Sequence, residues 1–233
     1  MHQGKAGPNE QASPTWLWWA NLGLLIVGGL VGLGLVAALA LGWRSPTPFR
    51  APDWKIKSST WQWHGDGAAI ITNTGYQLHL SQPGQQAWAI PTHGTQAATV
   101  QPVDDFDLEL DIHALTPSAD VGYRLLYRYQ NPDNFYLFAI GSDGYYTIAV
   151  LQEGTLIPLR DWQQWPHVRR GAAANRLRVR CQASICRFYV NGEFTAEVKD
   201  DTFLAGGIGL WGQTFSGTAL EVVFEEMQLW SLN

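Results

Sequence analysis

The chain has 233 residues, a formal net charge of -5, and 12 Trp, 8 Tyr and 9 Phe. That length suits one substantial domain with an extra segment, the aromatic content excludes a disordered polymer, and the charge excludes the clustered basic face that nucleic acid requires. Six scattered histidines and two cysteines, with no His-x-x-x-His, Cys-x-x-Cys or Gly-x-Ser-x-Gly, leave zinc, thiol and serine-hydrolase chemistry without support.

Residues 1–15 are polar and contain Gly, Pro and Ser, and are read as a disordered tail. Residues 16–43 carry no charge, and as a helix they would reach about 42 Å, enough to cross a hydrocarbon core of about 30 Å with some tilt. Trp16, Trp18 and Trp19 at one end and Trp43 at the other sit where interfacial aromatics belong, so a single transmembrane α-helix is expected. A cleaved signal peptide is the rival reading, with Ala38-Leu39-Ala40 as its small-x-small site. Gly28 and Gly32 form a GxxxG step, a candidate surface for helix self-association in the bilayer. Residues 44–58 hold three prolines, Pro46, Pro48 and Pro52, and read as a stiff linker.

From residue 59 to 233 the pattern is of short strands. Residues 61–63, 69–72, 75–80 and 87–90 are separated by His64-Gly65-Asp66-Gly67, Asn73-Thr74 and Pro83-Gly84. Residues 105–112 alternate strictly, with Phe106, Leu108, Leu110 and Ile112 on one face and Asp105, Asp107, Glu109 and Asp111 on the other. Residues 123–146 form two aromatic-rich runs bracketed by Asn131-Pro132-Asp133-Asn134 and Ser142-Asp143-Gly144, which predicts a β-meander.

Pairing Cys181 with Cys186 across a hairpin sets Val179 opposite Phe188 and Leu177 opposite Val190, all on one face. The two cysteines are then a candidate cross-strand disulfide, with two reduced core thiols as the alternative. Asn191-Gly192 predicts a two-residue type I′ turn into the next strand. Residues 206–211 and 219–230 supply the last strands. No helical period follows the membrane segment, so the domain is expected to be all-β, an antiparallel two-sheet jelly-roll sandwich.

Several phrases occur in the order found in one superfamily: DDFDLEL at 104–110, YRYQNPDNFYLFAI at 127–140, then DGYY, LRDW, NRLRV, FYVNG, DDTFLAGGIGLW and VVFEEMQLW. Over about 61–230 the chain thus resembles the concanavalin A-like lectin/glucanase superfamily, and within it the 3-keto-disaccharide hydrolase-like and laminin-G-like jelly rolls. The resemblance implies a concanavalin-like sandwich and leaves open whether the domain is a lectin, a glycosidase or an adhesion module.

The superfamily's glucanases use alternate acidic residues on one strand, which makes Asp107, Glu109 and Asp111 the catalytic candidates if the protein is a glycoside hydrolase. Their Glu-x-Asp-x-x-Glu order is absent, and the alternating Arg176, Arg178 and Arg180 offer a different reading, a charged cross-strand ladder. The resemblance also brings calcium into question, with Asp104, Asp105, Asp200 and Asp201 as oxygen donors, although no loop carries a dense acidic run. Sugar binding needs flat aromatic faces beside polar groups, and Tyr136, Tyr146, Trp162 and Trp211 are candidates for the first, with Arg128 and Asn134 for the second. Tyr123, Tyr127 and Trp165 fit the same description, and all of these aromatics also fit a core.

Lys5 alone precedes the membrane segment, whereas Arg44, Arg50, Lys55 and Lys57 follow it, so the positive-inside rule points the domain inward. The candidate disulfide and the resemblance point outward, and we take that side. The expectation is a single-pass protein of the cell membrane whose extracytoplasmic domain recognises carbohydrate or a membrane or envelope protein without catalysis. A glycoside hydrolase and a structural subunit of a membrane complex are the alternatives.

Overall fold

The computed structural model describes residues 54–55, 60–72, 75–93, 98–99, 102–115, 121–216 and 219–232. The expected tail, membrane helix and Gly28/Gly32 step lie outside them. Every regular element among the described residues is a β-strand. In chain order these are β1 Trp54–Lys55, β2 Thr60–Gly65, β3 Ala68–Ile71, β4 Gly75–Leu80, β5 Gln86–His93, β6 Ala98–Thr99, β7 Phe106–Ala114 and β8 Val121–Asn131. There follow β9 Asn134–Gly141, β10 Tyr145–Gln152, β11 Thr155–Gln164, β12 Ala174–Gln182, β13 Ile185–Val190, β14 Glu193–Lys199, β15 Gly207–Thr214 and β16 Leu220–Ser231.

Two antiparallel sheets face each other as a jelly-roll-like sandwich. Sheet 1 runs β14-β13-β12-β7-β16-β4-β3, and β1, from the stretch expected as linker, pairs with β16. Sheet 2 runs β11-β10-β9-β8-β15-β5-β2, with β6 on β5. The inner faces supply the core by simple alternation: Phe106, Leu108, Leu110 and Ile112 of β7, Leu177 and Val179 of β12, and Tyr123, Leu125 and Phe138 of sheet 2 are all fully buried. Each buried apolar side chain of this kind contributes about 1.5–3 kcal/mol.

The hairpin of β12 and β13 has the expected register: Cys181 opposes Cys186, Val179 opposes Phe188 and Leu177 opposes Val190. Cys181 and Cys186 form a disulfide. Asn191 and Gly192 both take positive φ, 54° and 88°, as a type I′ turn demands, and Glu193 returns opposite Val190. The expected meander is β8-β9-β10, turned at Pro132-Asp133 by the Asn131 side chain, which accepts from the Asp133 amide at 3.0 Å.

Alternation fails once inside the meander. β8 carries a bulge between Tyr127 and Tyr129, with Arg128 at φ 49°. An inserted residue reverses the pleat, so Tyr127 joins the main core and Tyr129 the opposite face of sheet 2.

Candidate functional site

The outer face of sheet 2 is where the chain departs from an ordinary solvated surface. Ile90, Leu126, Tyr129, Phe135, Leu137, Ala139 and Ala149 form a second apolar cluster there, flanked by Trp88, Leu151 and Trp211. The seven are themselves buried, and Trp88, Leu151 and Trp211 are half-buried beside them.

One row of directly opposed residues crosses this face. His64 stands opposite Trp88, Trp88 opposite Trp211, Trp211 opposite Arg124, Arg124 opposite Ala139, and Ala139 opposite Thr147. The rings touch in sequence: His64 stacks on Trp88 at 5.5 Å between centroids, and Trp211 meets Trp88 at 5.3 Å and Phe135 at 5.5 Å in tilted contacts. Arg124 lies over Trp211, its guanidinium carbon 5.1 Å from the ring centroid, and it donates to the Gln213 side chain.

The row ends at a bulge. Tyr146 pairs with Gln163 and Ile148 with Arg160, so Asp161 and Trp162 of β11 together oppose Thr147. Bulges re-aim side chains at sheet edges, and here both residues are brought to the outer face. At this end of the row a recess of about 120 Å³ opens, lined by Arg124, Leu137, Thr147, Ala149, Leu156, Pro158, Asp161 and Trp162. Trp162 is 46% exposed and presents a ring to solvent. The Thr147 hydroxyl donates to the Arg160 carbonyl at 2.7 Å and keeps acceptor capacity towards the recess.

The residues singled out from the sequence divide between this face and the interior. Trp162 and Trp211 lie on the outer face. Tyr136 and Tyr146 are buried in the main core, where Tyr136 stacks on Tyr127 at 5.1 Å. Asn134 ties two turns together, accepting from the Glu153 amide at 3.0 Å and donating to Asn131 at 3.0 Å. Arg128 is wholly buried by the bulge, and its guanidinium donates to the carbonyls of Phe203 at 3.0 Å, Asp104 at 3.2 Å and Ala183 at 2.5 Å. Burial lowers its pKa, partly offset by the neighbouring tyrosines and acidic groups.

Three of the four oxygen donors considered for calcium surround that guanidinium. Asp104 offers its carbonyl, the Asp105 carboxylate accepts from the Ala183 amide at 2.6 Å, and Asp200 accepts from the Tyr136 hydroxyl and from the Thr202 amide at 2.9 Å. Asp201 is exposed on the same loop. Among the described residues no group of three or more His, Cys, Asp or Glu side chains is arranged to hold a metal ion.

Asp107, Glu109 and Asp111 sit on the outer face of sheet 1, beside β12. Arg176 reaches Asp111 at 2.6 Å, Arg178 reaches Asp107 at 2.5 Å and Glu109 at 3.5 Å, and Arg180 lies 3.7 Å from Asp107. Hydrogen bonding to their carboxylates raises the pKa of Arg176 and Arg178.

Sequence reasoning missed Arg124, Trp88 and the recess. The signal was there in part: Trp88 and Ile90 share one parity, as do Trp211 and Gln213, opposite to the core residues of the same strands. The bulge at Asp161-Trp162 leaves no such trace.

No family model matches the chain, and the comparison with curated proteins gives no match. Among solved structures, the carbohydrate binding module CBM66 from Bacillus subtilis matches at 16% identity and TM-score 0.57, covering 72% of this chain and 95% of its own. A protein of unknown function with a galectin-like fold from Bacillus subtilis matches at 11% identity and TM-score 0.57, covering 78% of this chain and 96% of its own. At these identities the likeness is one of fold, a jelly-roll-like β-sandwich.

Proposed function

We propose that the domain is a non-catalytic carbohydrate-binding module, held at the cell membrane by the helix expected at 16–43 and displayed on the extracytoplasmic side. The observation that carries this reading is the aromatic row on sheet 2, which ends in a recess faced by Trp162, Arg124, Thr147 and Asp161. Flat rings offer a surface to the apolar side of a pyranose, and the neighbouring donors and acceptors suit its hydroxyls. The carbohydrate-binding module among the structural neighbours supports the same reading. A disulfide between Cys181 and Cys186 favours an oxidising compartment.

The ion pairs of Asp107, Glu109 and Asp111 favour a structural ladder over the hydrolase alternative, because their carboxylate oxygens are engaged by Arg176 and Arg178. The test is binding of the purified full-length chain to a broad glycan array, with calcium and again with chelator. Saturable binding to a related set of glycans is expected. Absence of binding under both conditions overturns the reading.

A further inference from the structure

Most buried or half-buried arginines of this domain have compensation. Arg178 has the Asp107 carboxylate, and Arg128 has three carbonyl oxygens. Arg124 differs. Among the described residues it forms no ion pair and one hydrogen bond, to the neutral Gln213 side chain, and one side of its guanidinium is covered by Trp211. Burial alone lowers its pKa to about 10, with no carboxylate acting to raise it. A desolvated cation without an anion is costly, and proteins ordinarily pair it.

This cation lines the recess that Trp162 and Asp161 also wall. The wall also carries Asp161, which lies on the exposed bulge and makes no ion pair with Arg124. The remaining Arg124 donors form a planar fork that matches an oxyanion.

We propose that the recess receives the anionic group of an acidic glycan, a carboxylate or sulfate, with Arg124 as its counter-ion and Trp162 packed on the sugar ring. The inference rests on the carbohydrate reading above and narrows it to a ligand class. Asp161, at the rim, accepts from ring hydroxyls, while Arg124, on the floor, takes the negative charge. Trp211 holds the guanidinium in place.

The test presents the full chain with four probes on one array: an oligogalacturonate, its methyl ester, a sulfated galactan and the same galactan desulfated. The array also carries neutral glycans. Binding of at least one acidic probe is expected to be at least tenfold tighter than that of its neutral counterpart, and the member preferred tells carboxylate from sulfate. In Arg124→Gln this ratio falls to about one, and in Arg124→Lys part of it remains because the charge is kept. Arg124→Gln is also expected to leave the melting temperature unchanged or raise it, since an uncompensated buried charge is removed. A fall in melting temperature would mark Arg124 as structural and overturn the proposal. Binding of neutral glycans with no acid preference overturns it too while leaving the carbohydrate reading intact. No binding to any glycan removes both. The acid-to-neutral ratio of the unaltered chain decides the matter even where a variant fails to fold.

Discussion

Trp211 stands between Trp88 and Arg124 on the outer face of sheet 2, directly opposite both across neighbouring strands. It packs tilted against the ring of one and lies beneath the guanidinium of the other. Trp162, at the far side of the recess, has no such company and is 46% exposed. The two tryptophans therefore separate binding from stability. Trp162→Ala is expected to weaken glycan binding by about 1.4 kcal/mol, tenfold, with stability held within about 0.5 kcal/mol. Trp211→Ala is expected to cost both, with about 3 kcal/mol of stability lost as its aromatic neighbours and Arg124 lose their support. Isothermal titration beside urea denaturation of each variant checks this, and equal stability losses in the two would contradict it.

Arg128 holds together three segments distant in sequence, because the carbonyls of Asp104, Ala183 and Phe203 all accept from it. Arg128→Met fills the space but orphans the three oxygens, each costing about 1–3 kcal/mol when buried. A loss of at least about 3 kcal/mol is expected, seen as a lower urea midpoint. Arg128→Lys should recover little, since an ammonium on a flexible stem cannot reproduce the fork. Full stability in the methionine variant would show that the loops do not depend on this clamp.

The Tyr136 hydroxyl donates to Asp200, and the pair gives stability a pH dependence at both ends. Burial and the bond to Asp200 raise the Tyr136 pKa from 10.0 to about 12. A raised folded-state value means stability is fully present below about pH 10 and is lost as pH rises towards 12. For Asp200, burial pulls the pKa up, but hydrogen bonds from Tyr136 and Thr202 outweigh it, and the net position is below the ordinary 3.8. Its contribution is present above that value and lost as pH falls below it. Asp200→Asn should flatten the acid limb of a stability profile, and Tyr136→Phe should reduce the alkaline fall. Unchanged limbs in both variants would remove the pair from the account.

Local chemistry made the β12-β13-β14 region legible from the sequence. Cys181 and Cys186 could oppose each other in only one register that also put Leu177, Val179, Phe188 and Val190 on one face, and Asn191-Gly192 fixed the next turn. The disulfide closes a short loop, five residues of separation, so the chain-entropy model gives about 2 kcal/mol. The double variant Cys181→Ser, Cys186→Ser is expected to fold with its midpoint lowered accordingly, and a loss beyond about 4 kcal/mol would exceed what loop closure can supply.

The ligand face was illegible for the opposite reason. Period two assigns faces only while pairing is unbroken, and the bulges at Arg128 and at Asp161-Trp162 break it at the positions that matter. Arg128 therefore reads as a polar contact for a sugar and is instead buried, whereas the Trp162 ring is brought to the recess by an insertion that composition does not announce. Strand order also hides the row, since β15 and β5 are distant in sequence from β8, and only the sheet places Trp88, Trp211 and Arg124 side by side.

The acidic strand separates the structural from the catalytic reading by grading its carboxylates. The Asp107 side chain is 8% exposed and accepts two bonds from Arg178, at 2.7 and 2.5 Å. Removing one member of a largely buried pair leaves the other charge uncompensated, so Asp107→Asn is expected to cost about 3 kcal/mol. Glu109 is 30% exposed, and its oxygen lies 3.5 Å from the same guanidinium, so Glu109→Gln should cost less than about 1 kcal/mol. Asp111, paired with a more exposed Arg176, should likewise stay within about 1 kcal/mol. A ladder predicts this order in urea midpoints. A catalytic pair predicts the reverse separation, with little change in stability and loss of turnover on a glycoside, because a general acid and its partner carboxylate are selected for reaction rather than for the fold. Measuring both quantities on the same three variants distinguishes them, since the ladder fails if Asp107→Asn is as stable as the parent chain.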